Sequence, residues 1–155
     1  MAWYTPIPQN DPPSCRAAHS CDKVANNLFI FGGWNGKKAL NDLYVLDLDN
    51  LVCRSDPETF GPKPACRNNH TTAVYGEKIY FHGGHDGNQW LDDLHVLNTM
   101  SFVWNKPKVS GQKPSARACH TMSRVGRKLY MFGGYDGDKC FNDIDILDLD
   151  TMTWI

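Results

Sequence analysis

Glutamate is almost missing from this chain: Glu58 and Glu77 are the only two in 155 residues. There is also no C-x-x-C pair, no long apolar run and no excess of either charge. Each shortage removes a class of function. Without C-x-x-C, the six cysteines suggest neither a zinc knuckle nor a redox motif. Without a run near ~20 apolar residues, no segment reads as a membrane helix. A net charge of −1 lacks the clustered Lys and Arg of a phosphate-binding surface, so no nucleic-acid partner is expected. Met1 to Pro6 has no basic stretch followed by an apolar one, so no signal peptide is expected. A cytoplasmic protein with reduced thiols follows from that reading. There is no G-x-S-x-G elbow, no phosphate loop and no Cys/His pair in a catalytic context. We therefore expect neither enzymatic activity nor a cofactor.

What is present is a repeat. Gly32-Gly33 recurs as Gly83-Gly84 and Gly133-Gly134, at steps of 51 and 50 residues. The same steps relate Pro13, Pro64 and Pro114, then Arg16, Arg67 and Arg117, then His19, His70 and His120. They also relate Gly36, Gly87 and Gly137, Asp42, Asp93 and Asp143, and Leu46, Leu97 and Leu147. Such a period marks a repeated supersecondary unit.

Each unit reads as four short strands. In the second, His70–Tyr75 and Ile79–His82 are strand runs separated by Gly76-Glu77-Lys78. A loop from His85 to Gln89 follows the diglycine, then strands over Leu94–Leu97 and Phe102–Trp104. β-Branched and aromatic runs between turn residues are strand and hairpin signals. The first unit uses Asn26-Asn27 as its turn and has Cys53 where the others have Trp104 and Trp154. No helical period competes.

The diglycine, the following Asn/Asp-Gly, the paired Asn/Asp-Asp before the third strand, and the late tryptophan together resemble a kelch repeat of the Arg-x-x-His subtype. The resemblance covers the whole chain. It implies an all-β fold of kelch-type β-propeller blades, three of them, each four-stranded and antiparallel, with the first strand innermost. The expected units are 13–54, 55–105 and 106–155. Residues 1–12 are expected to supply a linker and the fourth strand of a preceding blade whose other strands lie outside this chain, because Trp3 precedes Arg16 by the same thirteen residues that separate Trp104 from Arg117. Three blades make an incomplete ring, completed by missing repeats of a longer protein or by a second chain.

The resemblance also implies a function. Kelch propellers bind other proteins through loops on one face, as adaptors, scaffolds or regulators linked to small GTPases, the cytoskeleton or ubiquitin ligases. The loops before the first strand and after the diglycine share that face. The side chains that vary between units there are Trp34, Lys37 and Lys38; His85, Gln89 and Trp90; and Tyr135, Asp138, Lys139 and Cys140. Aromatics and cations on such loops match interaction hot spots. Trp90 is expected to be replaceable without harm to the fold. Arg16, Arg67 and Arg117 have two readings: a positive rim for an acidic peptide, or blade-holding pairs with Asp42, Asp93 and Asp143. The repeated histidines read as hydrogen-bonded core residues. His82 and His85 with Asp86 form a weak metal pair that alternation points apart. The alternative function is a metal-dependent kelch-fold enzyme, an oxidase or specifier-type protein. The specifier iron site is Glu-x-x-x-Asp-x-x-x-His, a pattern missing here.

Overall fold

The structure is a computed structural model that describes residues 1–155. It contains strands and turns but no helix, so no helix is long and apolar enough to cross a membrane. The first sheet is β1 (Ser20–Val24), β2 (Asn27–Trp34), β3 (Ala39–Asp47) and β4 (Val52–Ser55), in that spatial order. The second is β5 (Thr71–Tyr75), β6 (Lys78–His85), β7 (Trp90–Asn98) and β8 (Val103–Asn105). The third joins β9 (Ser110–Gly111) to β10 (Thr121–Val125), β11 (Lys128–Phe132), β12 (Ile144–Asp148) and β13 (Thr153–Trp154). The first strands β1, β5 and β10 touch in succession, so they line the inner side of an open arc of three blades.

Tight turns set the register of each blade. Val24 pairs with Asn27, Tyr75 with Lys78 and Val125 with Lys128. The residues between them begin at positive φ: Ala25 at 50°, Gly76 at 60° and Gly126 at 60°. Two-residue hairpin turns demand that geometry. The first hairpin therefore turns on Ala25-Asn26, one residue earlier than Asn26-Asn27, and Asn27 joins the ladder.

The core lies between blades. Val24, Phe29, Phe31, Leu43 and Val45 of blade 1 meet Ile79, Phe81, Leu97 and Trp104 of blade 2. Trp104 is fully buried, its ring 5.3 Å from Phe31 and 5.0 Å from Phe81. The alternation of β6 turns Tyr80 to the other side, where Leu94 and Val96 join it against Leu129, Leu147 and Trp154 of blade 3. A period of two thus gives each inner sheet two apolar faces, one per neighbour. The late tryptophans are the plugs between blades.

The diglycine lets one blade touch the next. Gly83 and Gly84 sit at φ 64° and 99°, where β6 bulges. A Cβ on Gly83 would lie 2.6 Å from the carbonyl oxygen of Arg117, and one on Gly84 2.7 Å from that of Asn68. The Gly84 N–H instead donates to the Arg117 carbonyl at 2.9 Å. Only glycine combines that φ with that approach. Gly33 and the Arg67 carbonyl repeat the bond between blades 1 and 2.

Each blade has an edge beyond four antiparallel strands: β9 runs parallel to β13, and Gln9 and Phe60 make the matching parallel bridges to Val52 and Val103. The entry segment of each unit thus runs along the outer strand of its own blade. Residues 1–7, including Trp3, form no strand and are exposed.

Candidate functional site

The expected face is built from backbone first. Ala17 bridges Trp34, Asn68 bridges His85, and Ala118 bridges Tyr135. Each bridge ties the loop entering a blade to the end of its second strand, so both loop types open together. The loop after each diglycine is then closed by one side chain. Asn35 Oδ1 accepts the N–H groups of Lys37 and Lys38, both at 2.9 Å. Asp86 Oδ1 accepts those of Asn88 and Gln89 at 2.7 and 2.8 Å, and Asp136 Oδ1 those of Asp138 and Lys139 at 3.0 and 2.9 Å. Gly36, Gly87 and Gly137 supply the positive φ inside each turn. Side-chain oxygens closing a turn two and three residues on are a stable local motif. The loop is thus one rigid shape made three times, carrying different side chains each time.

Those side chains are presented unequally. Trp34 is 37% exposed, and Lys37, Lys38, Gln89, Tyr135, Asp138, Lys139 and Cys140 are exposed. Lys139 leans over the Phe141 ring at 5.2 Å. His85 and Trp90 are half-buried and stack edge to face at 4.7 Å, with Trp90 edge-on to Tyr135 at 5.4 Å. Trp90 is also the first residue of β7, paired with His85, so the loop ends at Gln89. The indole crosses to blade 3, where the space beside Gly137 admits it. It is a joint between two loops rather than a free loop side chain.

The arginines resolve into pairs. Arg67 Nη1 and Nη2 donate to Asp93 Oδ1 and Oδ2 at 2.7 and 2.9 Å, and Nη1 also reaches the Gly83 carbonyl at 3.0 Å. Arg16 with Asp42 and Arg117 with Asp143 repeat the fork. All three guanidinium side chains are buried. A bidentate fork already filled by the chain's own carboxylate has no matched donor pair left for a visiting peptide. Arg16, Arg67 and Arg117 therefore leave the rim and become clamps from the entry loop to the third strand. Burial opposes ionisation of Asp93, yet hydrogen bonds from Arg67 and His95 hold its carboxyl well below the usual carboxylate range.

Of the repeated histidines, two are core residues. His70 Nε2 meets Ser20 Oγ at 3.0 Å, and His120 Nε2 meets His82 Nδ1 at 3.0 Å, both buried. Burial, with Arg67 as the next cause, pushes His70 down to about 3. Burial and the neighbouring His120 push His82 down to about 3 as well. His19 is exposed, because no blade in this chain covers that side of blade 1. His82 and His85 diverge as alternation implies: His82 lies in the blade interface, while His85 Nδ1 accepts the Gly87 N–H in the loop. No group of three or more His, Cys, Asp or Glu side chains is placed to hold a metal ion.

Inner first strands, a diglycine crossing between sheets, and one tryptophan plug per seam define stacked propeller blades. The KLHDC2/KLHL20/DRC7 Kelch-repeats domain matches residues 1–155. This chain belongs to the kelch-repeat family. Among similar proteins, acyl-CoA-binding domain-containing protein 4 of Arabidopsis thaliana is 34% identical over 109 residues, 69% of this chain and 16% of that protein. Host cell factor 1 of Homo sapiens is 37% identical over 119 residues, 64% of this chain and 6% of that protein. The Rab9 effector protein with kelch motifs of Mus musculus is 38% identical over 96 residues, 59% of this chain and 25% of that protein. The chain therefore matches a quarter or less of the length of these relatives.

Proposed function

We propose that this chain is a protein-binding module whose partner engages the face carrying the post-diglycine loops. One observation carries the reading: the same turn is built three times with different side chains on it. Residues common to all blades are largely consumed internally, as the Arg–Asp clamps are and as His70 and His120 are in the core. Residues that differ, Trp34, Lys37, Lys38, His85, Gln89, Tyr135 and Lys139, stand on fixed backbone at the surface. Rigid presentation of aromatic and cationic groups lowers the ordering entropy that binding must overcome. The kelch relatives support the class, and the printed name of the mouse relative describes an effector of Rab9. A small-GTPase-linked or adaptor role is the finer reading we favour for this chain.

The test uses photo-crosslinking side chains placed singly at Lys37, Gln89 and Asp138, against Asn26 and Glu77 in the hairpins at the other end of the blades. One protein captured from all three loop positions, and from neither hairpin, is the expected result. Capture from the hairpins alone, or from no position, overturns the proposal.

A further inference from the structure

We propose that the seam between blades 2 and 3 holds a second site, at the end of the blades away from the post-diglycine loops, which takes a small carboxylate with an apolar body. The two seams of this chain differ there. In the first, Phe102 of blade 2 packs on Phe29 of blade 1 with ring centroids 6.2 Å apart, and the Arg54 guanidinium covers Phe102 at 5.4 Å. The repeat places Tyr80 at the register of Phe29, Met152 at that of Phe102 and Asn105 at that of Arg54. A slimmer thioether chain and a shorter amide leave space where the first seam is filled. The result is a cavity of about 410 Å³ lined by Tyr80, Asn105 and Met152 among others. No cavity opens at the matching place in the first seam. The walls belong to blades 2 and 3, whose shared seam is complete within the chain.

The floor of the cavity is apolar. Val96 is buried there, and Leu149 and Met152 pack against the core cluster behind it. The polar groups around that floor are donors with no task inside the chain. Tyr80 is 5% exposed, yet its hydroxyl has no hydrogen-bond partner, and it lines both this cavity and the adjoining depression beside Tyr75. Burial, then the neighbouring Tyr75, pushes that hydroxyl above its usual value, so it keeps its proton at neutral pH. Lys78 makes no ion pair. The Oδ1 of Asn98 accepts the N–H groups of Met100 and Ser101, which leaves its amide NH2 to face a ligand.

No carboxylate lines the cavity, and Glu77 lines only the adjoining depression. One ammonium with hydroxyl and amide donors suits a single negative charge. A phosphate carries nearly twice that charge and is typically met by an arginine fork, and no arginine lines this cavity. A preformed cavity of about 300–1,000 Å³ with an apolar floor and a few placed polar groups is the usual form of a small-molecule site.

Titration of the whole chain with naphthoate, followed by NMR at the backbone amides, tests the site. Saturable shifts are expected at Lys78, Asn98, Leu149 and Met152, without matching shifts in the post-diglycine loops. Naphthamide has the same shape without the charge and should bind more weakly by a factor of about ten, the effect of losing one charge-assisted contact. Lys78→Gln should weaken naphthoate by the same factor and leave naphthamide unchanged. Tyr80→Phe, which copies Phe29, should weaken naphthoate severalfold with the fold intact. Met152→Phe with Asn105→Arg copies the filled seam and should abolish binding of both compounds. Asn105→Arg alone takes its place if urea unfolding shows the double variant to be destabilised. Shifts that do not saturate at millimolar naphthoate, or that fall only on the loop face, overturn the proposal. So does equal affinity for naphthamide, or an affinity unmoved by Lys78→Gln, by Tyr80→Phe or by the filled cavity.

Discussion

Arg67 and Asp93 lie 26 residues apart in sequence and meet through two hydrogen bonds of 2.7 and 2.9 Å beside the seam between blades. The pair joins the loop that enters blade 2 to the third strand of the same blade. Removing one partner strands the other in a dry site, which typically destabilises by about 3–5 kcal/mol. Arg67→Met should therefore lower the urea midpoint sharply. Asp93→Leu in the same chain should restore part of the loss, since no buried charge then remains. A double variant no better than the single one would mean that the clamp acts through geometry alone.

Much of this was legible in the sequence because it recurs. A residue repeated at steps of 51 and 50 points to a structural role, and the diglycine and the Arg–Asp clamp have one. What recurrence hides is the seam, because a seam joins positions that differ between blades. Phe31, His82 and Phe132 share one register, yet they are a packed ring, a hydrogen-bonded ring and an exposed one. The parallel edge at β9 was also hidden. Two-residue strands carry no alternation, and Gly111 passes so close to the Trp154 carbonyl that no Cβ fits. The contact of Trp90 was hidden for the same reason as the seams: its neighbour Tyr135 belongs to the next blade.

His70, His82 and His120 make the fold sensitive to mild acid. Burial leads the causes in all three, holding His70 and His82 at about 3 and His120 at about 4. Around His82 lie His120, Arg117, Arg67 and Asp93, and only Asp93 favours the proton. The folded values lie below the ordinary ~6.5 of an unfolded histidine. Stability is therefore complete above that pH and falls as pH drops from ~6.5 toward 4, where the unfolded chain takes protons that the folded one refuses. The unfolding midpoint should decline across that window. His82→Phe, which copies Phe31 of blade 1, should flatten the decline. Asp93, held low instead, contributes its loss only below ~4, so the two effects separate on the pH axis.

Asp22 works in the other direction. It faces Thr72 of the neighbouring blade, whose hydroxyl donates to Oδ1 at 3.0 Å, while Oδ2 is buried without a partner. Burial pushes its carboxyl up to about 6. With the folded value raised, its contribution is present below ~4 and lost as pH rises through about 6. At neutral pH the carboxylate is a burden. Asp22→Asn keeps an acceptor for Thr72 and should stabilise the chain at pH 7.5 by up to about 3 kcal/mol. The gain should vanish near pH 4. A gain independent of pH would show that charge is not its source.

Glycines that look alike in the repeat should respond differently to one methyl group. Gly84 and Gly87 both have positive φ, at 99° and 105°. A Cβ on Gly84 meets the Asn68 carbonyl oxygen at 2.7 Å, while one on Gly87 meets nothing within 4 Å. Gly87→Ala should destabilise by about 1 kcal/mol from backbone strain alone. Gly84→Ala adds a clash with immobile backbone at the seam and should exceed about 3 kcal/mol. Equal losses in urea unfolding would mean that the blades part easily at this point.

Trp34 and Trp90 separate binding from stability. Trp34 ends β2 with its indole partly in solvent, and it has no aromatic ring within stacking range. Trp90 holds His85 on one side and Tyr135 on the other. Trp34→Ala should therefore leave the unfolding midpoint within the error of about 0.5 kcal/mol typical of surface changes. Capture of the partner by the crosslinker at Lys37 should fall steeply in the same variant. Trp90→Ala removes an aromatic joint between loops, each such pair contributing about 0.5–1.5 kcal/mol beyond burial. It should lower stability and capture together, and Trp90→Phe should recover more of the stability than of the capture. If Trp34→Ala leaves capture unchanged, the partner sits on another part of the arc.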